Sequence, residues 1–250
     1  MWIASSSRQN GAATGKKRIG TALLWAAAGL AFLPVAEMRA QSIEPVISEY
    51  AGKADGKFEL TNNTLTPMAV VLEPKSFSIG PDGRGTFRPL DPTTHVDLSA
   101  MSVLLEPQQT YYVFYKAHAD TLPAWFTVYA VFSPVKKGEQ VKVRVMLPHT
   151  VYLYQKKPFD KEEVDFQHAK YEAGQDTVVF DLDNLGPALV RVQGIHVAGG
   201  KASVDANGFP LLPHSMRHLE IPWKQANPPS YIVLRFPHFD VKEPLSVQDH

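Results

Sequence analysis

Almost every apolar run after residue 40 is short, rich in β-branched and aromatic residues, and closed by Pro, Gly, Asn or Asp. Phe58-Glu59-Leu60-Thr61-Asn62 alternates and then turns through Asn63-Thr64-Leu65-Thr66-Pro67. Met68 to Leu72, Val103 to Leu105, Thr110 to Tyr115 and Trp125 to Phe132 follow in the same style. The pattern continues with Thr177 to Asn184, Ala188 to Ile195, Ala202 to Val204, Met216 to Ile221 and Tyr231 to Phe236. Evenly spaced short strands with turn signals between them predict a sandwich or barrel. Twenty prolines spread along 250 residues leave no room for long helices. The expectation is an all-β chain. Only Asp160 to Tyr171 reads otherwise, as a polar linker with one turn of helix.

Residues 1 to 40 differ from the rest. Arg8, Lys16, Lys17 and Arg18 precede the apolar run Ile19 to Leu33, and Met38-Arg39-Ala40 offers a cleavage site before Gln41. A basic segment, an apolar segment of about this length and a small residue are the parts of an export signal. The alternative is a membrane anchor, but a spanning helix needs about 20 apolar residues. Removing the segment takes five basic residues and one acidic residue from 25 of each, leaving 20 basic and 24 acidic. An acidic chain without a basic face is a poor ligand for nucleic acid. Cysteine is absent, so neither disulfides nor thiolate chemistry contribute. The remaining 210 residues fit two domains of about 100 residues.

The strongest single pattern is a row of equal parity: Val141, Val143, Val145, Leu147, Val151 and Leu153, interrupted by His149. A period of two puts the row on one face of a long strand. Pro148 removes one ladder donor, which favours an edge position or a bulge. A long apolar edge strand is a hazard unless something covers it, and a strand from another protein is one such cover. The two halves also echo each other. An Asn, turn, Pro, strand unit (Asn62 to Leu72, Asn184 to Ile195) precedes a Leu and Pro unit (Leu105-Glu106-Pro107, Leu212-Pro213).

Chemistry is sparse. His214 and His218 are four apart, but Pro213 and the run to Ile221 predict a turn and strand rather than a metal-binding helix. The other histidines read as scattered surface or loop residues. Asp181 and Asp183 share a face of one strand, most simply a solvated one. Trp125 and Trp223 fill cores or line a cleft. Phosphate-binding and nucleophile-elbow motifs are absent. The reading therefore includes no catalytic residue, metal, cofactor, nucleotide or nucleic acid.

Taken in order, several segments resemble the periplasmic pilus-assembly chaperones of the PapD-like family. They are Phe58 to Val70, Leu105-Glu106-Pro107-Gln108-Gln109 with Val113-Phe114-Tyr115, Leu122-Pro123 before Phe126, and the row from Val141 to Tyr154 with Pro158. Phe180 to Asn184 and Leu211-Leu212-Pro213 extend the likeness, which covers most of residues 45 to 240. The resemblance implies two immunoglobulin-like sandwiches in tandem after the signal peptide. The divisions are 1–40 signal, 42–156 first domain, 157–174 linker and 175–250 second domain. It implies a non-enzymatic chaperone that binds exported, pilin-like subunits by donating the edge strand through Val141, Val143, Val145 and Leu147. It also implies an outer-membrane usher as a further partner and the periplasm as the compartment. The rival reading is a structural or adhesive immunoglobulin-like protein. The chain departs from the family in two ways. Gln108 stands in place of Gly in the family's Leu-x-Pro-Gly segment. The two basic residues that anchor a subunit's terminal carboxylate are also missing: Gln41 to Gly52 holds no Lys or Arg, and the second position falls on Tyr152.

Overall fold

The computed structural model describes residues 40–135 and 143–248. The export-signal reading for residues 1–40 thus falls almost entirely outside the described residues, as does Val141. The described residues form one compact unit. Among the described residues, eighteen strands follow one another. β1 (Ser42–Glu44), β2 (Ile47–Ala51), β3 (Ala54–Thr61), β4 (Met68–Ile79), β5 (Gly85–Pro89), β6 (Thr94–Leu98), β7 (Ser102–Leu105), β8 (Thr110–Ala119), β9 (Ala124–Pro134) and β10 (Val145–Tyr154) make the first half. β11 (Val164–Glu172), β12 (Thr177–Asn184), β13 (Val190–Gly199), β14 (Ala202–Leu211), β15 (Met216–Pro222), β16 (Tyr231–Arg235), β17 (Asp240–Pro244) and β18 (Ser246–Gln248) make the second.

The strands build two sandwiches. In the first, sheet β1-β3-β8-β6 faces sheet β2-β10-β9-β4-β5, with β7 also paired to β4. In the second, β15-β12-β11-β18 faces β14-β13-β16-β17. Alternation sends one parity of each strand inward. Phe58 and Leu60 of β3, Val70 and Leu72 of β4, Phe126 and Val128 of β9, and Val151 and Leu153 of β10 form the first core. Val178, Phe180 and Leu182 of β12, Val192 and Val197 of β13, Ile232 and Leu234 of β16, and fully buried Trp223 form the second. A smaller apolar cluster of Phe77, Tyr152, Leu189 and Leu212, with Trp125 against it, joins the two sandwiches.

The internal echo has a physical basis in two buried asparagines. Asn62 donates from Nδ2 to the carbonyls of Thr66 (2.9 Å), Leu105 (3.3 Å) and Glu106 (3.0 Å), and its Oδ1 accepts from the Thr64 amide (3.1 Å). Asn184 donates to Ala188 (2.7 Å) and Leu212 (2.9 Å), and its Oδ1 accepts from the Gly186 amide (3.0 Å). The Asn62 amide bonds Gln109 O, and the Asn184 amide bonds Ser215 O. In both halves the residue after the Pro of the Leu and Pro unit is left-handed: Gln108 at φ 61° and His214 at φ 49°. The Gly that the resemblance would place at 108 is thus a position where Gly carries no strain. Gln108 offsets its strain by donating Nε2 to Asn63 O (2.7 Å) and Thr64 O (3.2 Å).

One segment corrects the sequence reading. Residues 164–172, assigned to the linker, form β11, an inner strand of the second sandwich. A 3-10 turn at Lys161–Glu163 precedes it. The register of β11 on β12 shifts between Gln167 and Lys170, with His168 left-handed at φ 56°. This bulge switches the inward parity from Val164 and Phe166 to Ala169 and Tyr171. A period-two pattern broken at its middle reads as polar linker.

Candidate functional site at the edge of the first sandwich

β10 is antiparallel to β9 from Val145 (opposite Phe132) to Leu153 (opposite Ala124). On its other side β2 runs parallel and covers only Thr150 to Tyr154. The Thr150 amide donates to the Val46 carbonyl at 2.7 Å, which fixes the direction of that residue's polar groups. Successive residues of a strand face alternate neighbours. The Met146 amide and the Pro148 carbonyl therefore face the side that β2 leaves open. Pro148 lacks its N–H on that open side, so the ladder to β9 loses nothing. The sequence reading of Pro148 as an edge marker matches this geometry.

The sequence-predicted row divides. Val143 precedes β10 and is 65% exposed. Val145 and Leu147 are half-buried and pack partly on the first core, followed by fully buried Val151 and Leu153. His149 departs from the surface reading, for it is 0% exposed. Its Nδ1 lies 2.6 Å from Pro45 O and its Nε2 3.1 Å from the Tyr115 hydroxyl. Burial holds its pKa below the ordinary value of 6.5.

The outward face of the same sheet carries a second apolar feature. Val71 of β4 pairs with Val131 of β9, and Val131 with Met146 of β10, so the three stand in one row. Leu104 of β7, opposite Ala69, and Phe87 of β5, stacked edge-on to Tyr129 at 5.1 Å, flank it. Val71, Leu104, Met146 and Phe87 are all exposed.

The C-terminal end of β10 enters the cleft between the sandwiches. Arg191 of β13 forms an ion pair with Glu49 of β2, and its guanidinium lies 5.9 Å from the Tyr152 ring. The Tyr154 hydroxyl donates to Glu49 Oε1 at 3.2 Å. Gln155 makes a two-way bond with the Leu189 backbone, at 3.0 and 3.1 Å. Burial pushes the Tyr152 hydroxyl up to about 12. A cavity of about 330 Å³ lies beside them, bounded also by Lys156, Phe159 and Phe239. Arg191 escaped the sequence reading because its partner is 142 residues away. Lys53, Arg144 and Lys156 are exposed.

On the second sandwich, His218 of β15 bonds Asp181 of β12 at 2.6 Å, and His168 bonds the same carboxylate at 3.1 Å. Asp181 is held below the usual carboxylate range, first by the His218 bond. Asp183 is raised by burial, with Asp165 beside it. His214 stays on its turn, apart from this cluster.

No family model matches the sequence, and no curated protein does. Solved structures do match. A chain in the Salmonella enterica complex of SafA pilin with the SafB chaperone is 11% identical, covering 84% of this chain and 98% of its own, with a TM-score of 0.52. The E. coli chaperone DraB is 13% identical, over 83% of this chain and 98% of its own, with a TM-score of 0.49. At such identity the likeness is one of fold: the chain has the two-sandwich, immunoglobulin-like architecture found among the fimbrial and pilus chaperones.

Proposed function

We propose that this protein is an exported, non-enzymatic chaperone that binds an extended segment of a pilin-like subunit along the open edge of β10. The observation that carries the reading is the uneven cover of that strand. Thr150 to Leu153 is paired on both sides, whereas Val145 to His149 is paired on one. An added strand would bond Met146 N–H and Pro148 C=O, and Val143 would enter the subunit's apolar groove. Val141, Val145 and Leu147 complete the proposed contact row. Burying four such side chains contributes about 6–12 kcal/mol gross at 1.5–3 each, which ordering and association offset in large part. The half-burial of Val145 and Leu147 on this chain's own core lowers the gain.

The basic and apolar composition of residues 1–40, taken with this fold, supports the periplasm as the compartment. The described residues include no helix long and apolar enough to cross a membrane. The outward row through Val71, Val131 and Met146 offers a separate surface for the further partner, an outer-membrane usher. In the cleft, Arg191 is already paired with Glu49, so a terminal carboxylate would have to displace that pair. The structural or adhesive reading requires the whole row to be buried by the chain itself, and exposed Val143 weighs against it. Co-expression with a pilin-like subunit lacking its final strand tests the proposal. Co-elution as a one-to-one complex supports it, and elution of the chain alone while the subunit aggregates overturns it.

A further inference from the structure

The border between covered and open β10 falls between His149 and Thr150, and His149 is fully buried there. Its hydrogen bonds assign its tautomer. The Pro45 carbonyl can only accept, so Nδ1 carries the proton and donates. Nε2 then accepts from the Tyr115 hydroxyl, whose oxygen lies 2.9 Å from the Tyr50 hydroxyl and accepts from it. The imidazole stacks on Phe58, with centroids 4.6 Å apart. Gly56 of β3 leaves room for the two phenols, because a Cβ there would collide with the Tyr50 hydroxyl.

These partners bracket one short segment. Pro45 lies between β1, which pairs with β3 in one sheet, and β2, which pairs with β10 in the other. Tyr50 lies near the far end of β2, opposite Leu153. One relay, Pro45–His149–Tyr115–Tyr50, therefore ties the crossover at Pro45 to Tyr50 near the far end of β2. Backbone pairing alone allows a strand to fray or to pair further along; a buried side-chain bond at Pro45 does not.

We infer that His149 is a positioning residue that pins the crossover at Pro45 and so sets where the cover of β10 ends and its open edge begins. The consequence for client capture rests on the strand-donation reading; the positioning itself does not.

The test is residue-resolved amide exchange on the full chain. His149→Phe keeps the ring and its stacking on Phe58 but removes both hydrogen bonds. It should speed exchange of the Thr150 amide about five- to ten-fold, the loss of one net hydrogen bond. The Val151 and Leu153 amides, which face β9, should stay within two-fold of wild type. His149→Gln, with one donor and one acceptor, should restore most of the Thr150 protection. The inference is overturned if Thr150 is unchanged in His149→Phe, if Thr150 and Val151 loosen equally, or if Gln restores nothing. Should His149→Phe fail to fold, Tyr50→Phe cuts the same relay at its other end. It should raise Thr150 exchange by about two- to five-fold, and an unchanged Thr150 again overturns the inference. If wild-type protein captures no pilin-like segment while the exchange pattern holds, the binding reading falls and the positioning role stands.

Discussion

Replacing Val143 by Asp separates binding from folding more cleanly than any other change in the row. Val143 is 65% exposed and lies outside β10, so the substitution should move stability by no more than about 0.5 kcal/mol. Docking against a subunit would bury the exposed two thirds of a side chain whose full burial is worth about 1.5 kcal/mol, a contribution of about 1 kcal/mol. Asp forfeits that and places a carboxylate in an apolar groove, at an effective cost of several kcal/mol. The sum exceeds about 3 kcal/mol, which is more than a hundred-fold in Kd. Val143→Ala, which loses only part of the apolar area, should weaken binding about three- to five-fold. Titration calorimetry with a strand-deficient pilin-like subunit reads the affinity, and denaturant unfolding reads the stability. Leu147→Asp provides the contrast, because Leu147 packs on the chain's own core and the variant should lose stability as well. Affinity of Val143→Asp within three-fold of wild type, with the fold intact, would refute the reasoning.

Three further outcomes follow from particular residues. Asn62→Ala should cost about 2–4 kcal/mol in urea unfolding, because it strips the carbonyls of Leu105, Thr66 and Glu106 of a buried donor; Asn184→Ala should behave alike in the second sandwich. Gln108→Gly removes left-handed strain of about 1 kcal/mol and also removes two hydrogen bonds, so its net effect should stay within about 1 kcal/mol, whereas Gln108→Ala keeps the strain and should be the less stable of the two. The third concerns pH. His149 has a depressed folded pKa, so its contribution is complete above 6.5 and declines as the pH falls from there towards the folded value, because the unfolded chain takes up the proton first. His218 has a raised folded pKa, chiefly from its bond to Asp181, so its contribution is complete below 6.5 and is lost as the pH rises through the folded value. Compared with wild type from pH 5 to 8, His149→Gln should therefore lose less stability towards acid, and His218→Ala should lower stability at the acid end only.

What could be read in advance depended on unbroken periodicity. The alternation around β10, β12 and β9 is regular, and their strands were legible, as was Pro148 as an edge marker. β11 was hidden because its bulge exchanges inward parity at His168. β17 and β18 were hidden because a strand such as Asp240–Pro244 buries little beyond Val241. His149 was misread because a histidine within an apolar row announces no partner, and Pro45 is 104 residues away. The Glu49–Arg191 pair likewise depends on how the two sandwiches meet, which no local pattern encodes. The Asn62 and Asn184 echo was visible as a pattern, but its meaning, a buried amide satisfying carbonyls from two segments, required coordinates.

The chain contains no cysteine, so single-cysteine variants report one position at a time. A thiol-linked photoreactive group at Val143→Cys, at Met146→Cys and, on the edge strand β14 of the second sandwich, at Ser203→Cys would map the client contact directly. Strand donation along β10 predicts efficient cross-links to the pilin-like subunit from residue 143, weaker ones from the outward-facing residue 146, and none from residue 203. Cross-links from residue 203 with none from 143 would contradict it.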